Sequence, residues 1–320
     1  MSAPAATTTA PARRAARDSS SSWRLTDRIG LAFAWLLGLL VLVIAASIVI
    51  FLLVQGVRYI TPQLIVSHPS AGFTESQTGG FLDPLLGTLI LAAMAMGIAY
   101  PVGVGVGVWL SEFGRPAALA RVAESTIDML AGSPSIVFAL FGVLLFESSG
   151  LGFLSRTTEN GIVYGRSFFA AAAMLSLVAL PLVVANVREG LQSIPGHVRE
   201  ASYAVGKTKI ATTRRVLLPA ARPSLVTGAM LGVGRVIGDT AIIVLLLGAT
   251  LRFNGVGGLP LIGTLRGTGS TLTSYVYANA PTGEANQPHK AYAAAFVLLL
   301  IVLGLNLAVD VTVRRGRRLS

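Results

Sequence analysis

The sequence predicts an all-α polytopic membrane protein with six transmembrane helices and both termini in the cytoplasm. Three observations carry this reading. Of 320 residues, 53% are hydrophobic and 12% charged, and the mean hydropathy is +0.71, which leaves too little polar surface to coat a water-soluble globule. Six stretches reach the roughly 20 apolar residues that a helix needs to cross ~30 Å of hydrocarbon, where every backbone polar group must be paired internally. Lys and Arg gather on one side of those stretches, as expected when positively charged flanks are retained in the cytoplasm. The net charge of +11 is therefore explained by topology, and no nucleic-acid partner is expected. The absence of cysteine removes disulfides, thiolate ligands and cysteine nucleophiles. His68, His197 and His289 have no metal-ligand spacing, so neither a metal site nor a catalytic residue is expected.

Residues 1–22, made largely of Ala, Ser, Thr, Pro and Arg, cannot bury enough apolar surface to offset ordering, and read as a disordered cytoplasmic tail. Residues 23–320 form the membrane domain. Its first span, 29–54, follows Arg13, Arg14, Arg17, Arg24 and Arg28 and is too long for a secretory signal, which makes it a retained anchor. The second, 85–110, leads to Arg115 and Arg121. The third is 123–146. The fourth, 168–187, precedes Arg188, Arg199, Lys207, Lys209, Arg214, Arg215 and Arg222. The fifth, 225–247, and the sixth, 291–313, complete the set, and Arg314, Arg315, Arg317 and Arg318 follow. The opposite loops hold only Arg58, Arg156, Arg166, Arg252, Arg266 and Lys290. The long outer loops at 55–83 and 249–290, rich in Gly, Pro, Ser and Thr, are either docking surfaces for an external partner or solvated connections.

Two spans carry polar chemistry. In the third, Gly132-Ser133-Pro134-Ser135 interrupts the helix, because proline removes a donor and frees a carbonyl. The break either presents backbone N–H groups and the Ser133 and Ser135 hydroxyls to an anion near the midplane or is a structural kink. Asp128 belongs to the same path or lies at the cytoplasmic mouth. In the fifth span, Arg235 and Asp239 are four residues apart and hence on one helix face, with Thr240 next. Ionisable groups at that depth are costly and usually face a bundle interior or an aqueous path; the alternative is a self-satisfying ion pair. Gly228, Gly232, Gly234 and Gly238 give the same helix small-xxx-small spacing for close packing. The guanidinium fork of Arg235 matches a tetrahedral oxyanion bidentately.

The cytoplasmic loop at about 193–219 reads as a helical hairpin. Ser193 is an N-cap candidate with Pro195 in the first turn, and Ile194, Val198, Ala201 and Val205 recur at helical spacing. Gly206 supplies a turn, a second helical stretch follows, and Pro219 ends it. Gly206-Lys207-Thr208 is not a phosphate loop, since the first glycine of G-x-x-x-x-G-K-[ST] would fall at Ala201 and no buried strand precedes it.

Glu200-Ala201-Ser202, Gly206, Val216 and Leu218-Pro219 resemble the EAA loop of type I ABC importer permeases. That likeness implies the type I permease fold and makes the hairpin a coupling helix that enters a groove on a separate ATP-hydrolysing subunit. The segments Ala131-Gly132-Ser133-Pro134-Ser135-Ile136-Val137-Phe138 and Arg235-Val236-Ile237-Gly238-Asp239-Thr240-Ala241 resemble those of the PstA family, permease subunits of bacterial phosphate-specific ABC importers. Two positions depart from that pattern: Asp239 stands where Glu is expected, and Ile242 where Pro is expected. The resemblance, from about residue 80 to the end, implies an inner-membrane heterodimer with a PstC-like permease. It further implies a PstB-like ATPase dimer that holds the ATP and Mg, none of it bound by this chain, and an external PstS-like phosphate-binding protein. Four alternatives stay open: a PstC-type sister subunit, a permease for another oxyanion or solute, a membrane sensor scaffold with no transport of its own, and a secondary transporter, although no inverted repeat is evident.

Overall fold

The computed structural model describes residues 25–69, 79–148, 150–155, 165–248, 265, 267–283 and 287–317. The tail expected over residues 1–22 lies outside them, as does the outer loop at 249–264. Among the described residues the chain is helical apart from turns and an isolated bridge between Pro69 and Gly79. It divides into two units, Met1–Phe51 and Leu52–Ser320.

The first unit holds most of α1 (Leu25–Tyr59), whose most apolar stretch reaches a mean hydropathy of 3.2. With Ile, Leu, Val and Ala on every side, the helix has no polar face, as suits a segment surrounded by lipid.

The second unit contains the end of α1 and everything after it. α2 (Pro62–Val66) is a single turn capped by Thr61. α3 (Leu82–Val108) runs through Pro101 and ends in a π turn, Trp109–Phe113. α4 (Ala117–Gly132) and α5 (Ser135–Glu147) follow, then α6 (Phe168–Gln192), which begins at Ser167, whose hydroxyl accepts from the Ala170 N–H at 3.0 Å. α7 (Gly196–Ala204) and α8 (Lys209–Thr212) form the hairpin, and α8 continues through a π turn, Thr213–Leu217, into α9 (Leu218–Ala220). α10 (Arg222–Gly238), α11 (Thr240–Leu246), α12 (Leu272–Asn279) and α13 (Pro288–Arg317) complete the unit.

Among the described residues, four helices are long and apolar enough to cross a membrane: α1, α3, α6 and α13. They match the first, second, fourth and sixth expected spans. The third and fifth are not single rods. α4 and α5 meet at 104°, because Ser133 and Pro134 are extended (ψ 136 for both) and a residue before proline is pushed out of the α region. The Ser133 hydroxyl donates to the Met129 carbonyl at 2.7 Å and satisfies one group at the open end. The expected helix at 225–247 breaks at Asp239, which ends α10 and starts α11; the 209–220 segment meets α10 at 70°.

α6 is the pillar of the unit. Its apolar stretch is 67% buried, against 33% for α3 and α13, and Ala171, Leu175, Ala179, Val183 and Val187 on it are all fully buried. Backbones come close where glycine faces it: a Cβ at Gly103 or Gly107 of α3 would lie 2.7 Å from the Val183 or Val187 side chain. On α10, a Cβ at Gly228 would lie 3.0 Å from Asn186 and one at Gly232 would lie 2.8 Å from Met96, whereas Gly234 and Gly238 face open space. Half of the expected small-residue stripe is thus used for packing.

Candidate functional site

A cavity of about 400 Å³ opens between α4, α6 and α10. Its wall carries Asp128 from α4, Ser133 from the α4–α5 break, Pro181 and Arg188 from α6, and Arg235 from α10. On α6 the lining residues run from Val178 to Arg188 at three- and four-residue steps, one face of the helix over about 15 Å at 1.5 Å per residue. The cavity therefore extends from the middle of α6 to the end that leads into the hairpin.

Two arginines line this space, each paired with a carboxylate. Arg188 Nη2 donates to Glu124 Oε1 at 2.6 Å, with both side chains about one-third exposed. A solvated ion pair of that kind contributes roughly 0–1 kcal/mol to stability. Arg235 Nη2 stands 3.5 Å from Asp239 Oδ2, with 42% of the arginine side chain exposed and 1% of the aspartate. That separation leaves the fork of Arg235 available to a ligand.

Asp239 belongs to the scaffold behind Arg235. Its Oδ1 accepts from the Ile242 N–H at 3.0 Å and caps α11, where a negative charge is favoured by the helix dipole. Its Oδ2 is buried, and no hydrogen-bond donor reaches it among the described residues. The break also frees the Ile237 carbonyl, which accepts from the Thr273 hydroxyl of α12 at 2.7 Å.

Of the residues expected on the substrate path, Ser133 and Arg235 line the cavity, joined by Asp128. Asp239, Thr240 and Ser135 are not part of that wall. Arg188 was not expected there: in the sequence it looks like one more basic residue flanking a span.

The hairpin has the expected form with one correction. Ser193 does not cap α7. It is the C-cap of α6, and its hydroxyl donates to the Gly190 carbonyl at 2.9 Å; Pro195 takes the N-cap position of α7. Gly206 has φ +77, a left-handed conformation cheap only for glycine. Glu200 and Ala201 are exposed, and Val216, Leu218 and Pro219 are half-buried. Ser202 and Thr212 are buried and share a hydroxyl–hydroxyl bond of 2.9 Å between the two arms. Beyond it the tip presents Tyr203, Val205 and Ile210 to the surface, 42%, 72% and 70% exposed.

Residues 103–318 match the family model described as the binding-protein-dependent transport system inner membrane component. The chain belongs to that family. Members of this inner membrane component family are multi-pass permease subunits of ABC importers, not enzymes, and ATP is hydrolysed on a separate subunit. Among its relatives, phosphate transport system permease protein PstA 1 of Mycobacterium tuberculosis is 35% identical over 243 residues, covering 76% of this chain and 73% of that one. PstA of Mycobacterium leprae is 34% identical, covering 73% and 70%. PstC of Mesorhizobium japonicum is 28% identical over 314 residues, covering 92% and 91%. The chain shares its fold with a chain of a bacterial alginate ABC transporter solved in complex with alginate pentasaccharide-bound periplasmic protein, at a TM-score of 0.61 and 16% identity over 90% of this chain and 96% of that one. A chain of the inward-facing MetNI methionine transporter aligns at 0.57 and 21% identity, over 74% and 95%. These structural likenesses also establish the type I importer permease fold.

Proposed function

We propose that this permease forms half of a phosphate translocation pathway and is driven through its hairpin by a separate ATPase pair. The observation that carries the cargo reading is the cavity lined by both Arg188 and Arg235, two guanidinium groups suited to a tetrahedral oxyanion. The PstA names of the relatives at 34–35% identity support phosphate over other oxyanions. In this reading a PstC-like permease supplies the other half, a PstB-like ATPase dimer holding ATP and Mg grips the hairpin, and a PstS-like external protein delivers phosphate. Residues 200–219 dock on the ATPase, with the apolar tip at Tyr203, Val205 and Ile210 as the contact. ATP-driven closure moves the hairpin, turns the packed spans and opens the pathway outward. Arg235 offsets the cost of bringing an anion into low dielectric, and Asp239 orients it.

The test is phosphate uptake by the four-component transporter in vesicles. Arg235→Lys keeps the charge and loses the fork, and uptake at subsaturating phosphate is expected to fall at least tenfold. Unchanged uptake would remove Arg235 from the path. Preferential uptake of sulfate would reassign the cargo and leave the ABC architecture intact.

A further inference from the structure

Arg199 of α7 points away from the exposed tip and joins three elements at once. Its Nη1 donates to the Ile194 carbonyl at 2.8 Å, and its Nη2 donates to the Leu191 carbonyl at 2.8 Å and to Glu112 Oε1 at 2.9 Å. Its Nε donates to the same Glu112 oxygen at 3.2 Å. Leu191 lies in the last turn of α6 and Ile194 two residues past its end, where a cation meets terminal carbonyls and the negative end of the helix dipole. Glu112 lies in the π turn that ends α3, and its side chain is only 6% exposed. A second contact joins the same places: Lys209 Nζ of α8 sits 5.1 Å from the centre of the Phe113 ring.

The covalent chain explains how α7 is tied to α6, since only residues 193–195 separate them. It does not tie the hairpin to α3, because Glu112 and Arg199 are 87 residues apart. α3 and α6 are themselves packed backbone to backbone at Gly103 and Gly107, and α6 carries the cavity wall from Val178 to Arg188 on another part of its surface. A push on the hairpin that reaches both helix ends together would displace that wall as one body.

We propose that the Arg199–Glu112 pair is the joint that hands movement of the hairpin to α3 and α6 together, making Arg199 a positioning residue for coupling. The proposal rests on the reading of the hairpin as the site gripped by the ATPase. An ammonium carries its donors on one nitrogen and does not span a carboxylate and two carbonyls as the guanidinium fork does.

The experiment measures inorganic phosphate moved per ATP hydrolysed by the full transporter in vesicles, alongside co-purification of the ATPase with this chain. Arg199→Lys is expected to lower the transport-to-hydrolysis ratio at least tenfold with ATPase capture unchanged. Glu112→Gln, which keeps an accepting oxygen, is expected to give a smaller loss. Because the chain has no cysteine, a Glu112→Cys, Arg199→Cys double variant places a unique thiol pair in it, and bridging that pair with a short bis-maleimide is expected to restore the ratio in a complex with otherwise cysteine-free subunits. A wild-type ratio in Arg199→Lys, or loss of assembly in both single variants, overturns the joint. So does a bridge that restores nothing. Failure of the wild-type chain to capture any ATPase instead removes the underlying reading of the hairpin, and the joint with it.

Discussion

Asp239 uses its two carboxylate oxygens differently, one to cap α11 and one to face Arg235. The two roles are separable by substitution. Asp239→Asn keeps an oxygen to accept the Ile242 N–H and removes the charge, whereas Asp239→Ala removes both. The alanine variant is expected to be less stable than the asparagine variant by about 1 kcal/mol, read as a lower thermal midpoint of the purified chain. Equal midpoints would mean that the cap contributes nothing. The nearness of Arg235 to Asp239 is legible in the sequence from their four-residue separation, but the continuous helix inferred from it is not what forms. The triplet Gly238-Asp239-Thr240 followed by an apolar run carries the signal of a helix stop and a new N-cap, and the hydrophobicity around it hides that signal. Arg188 had no such signal. Its place on the cavity depends on α4 packing across α6, which a flanking arginine does not announce.

At the scale of elements, apolar length alone suffices to find α1, α3, α6 and α13, because a lipid-spanning helix must be both long and apolar. Bends depend on local backbone chemistry, and the proline marks the break at 132–135 more plainly than Gly238-Asp239-Thr240 marks the one at Asp239. Helix pairing depends on which glycines face a neighbour. Gly107→Ala would put a Cβ 2.7 Å from Val187, whereas Gly105, two residues away on the same helix, faces open space. Gly107→Ala is expected to cost about 1–3 kcal/mol by overpacking, and Gly105→Ala to be neutral or to gain up to about 1 kcal/mol from helix propensity. Thermal unfolding in detergent measures both. Equal effects would show that α3 and α6 are not held by this close approach.

For the whole molecule, the bias of Lys and Arg predicts that the hairpin and both termini share the cytoplasmic side. The cysteine-free chain makes this testable with single thiols. Val205→Cys, at the 72% exposed tip, is expected to react with an impermeant maleimide only in inside-out vesicles. Thr282→Cys, exposed after α12, is expected to react only in intact spheroplasts. The reverse pattern would invert the proposed orientation.

The hydroxyl pair between Ser202 and Thr212 fastens the two arms of the hairpin before anything binds it. In the proposed coupling such a peg is already in shape when its socket arrives, so little chain freedom is surrendered on engagement. Under that reading, capture and release can alternate with each turnover without the peg melting and re-forming in between.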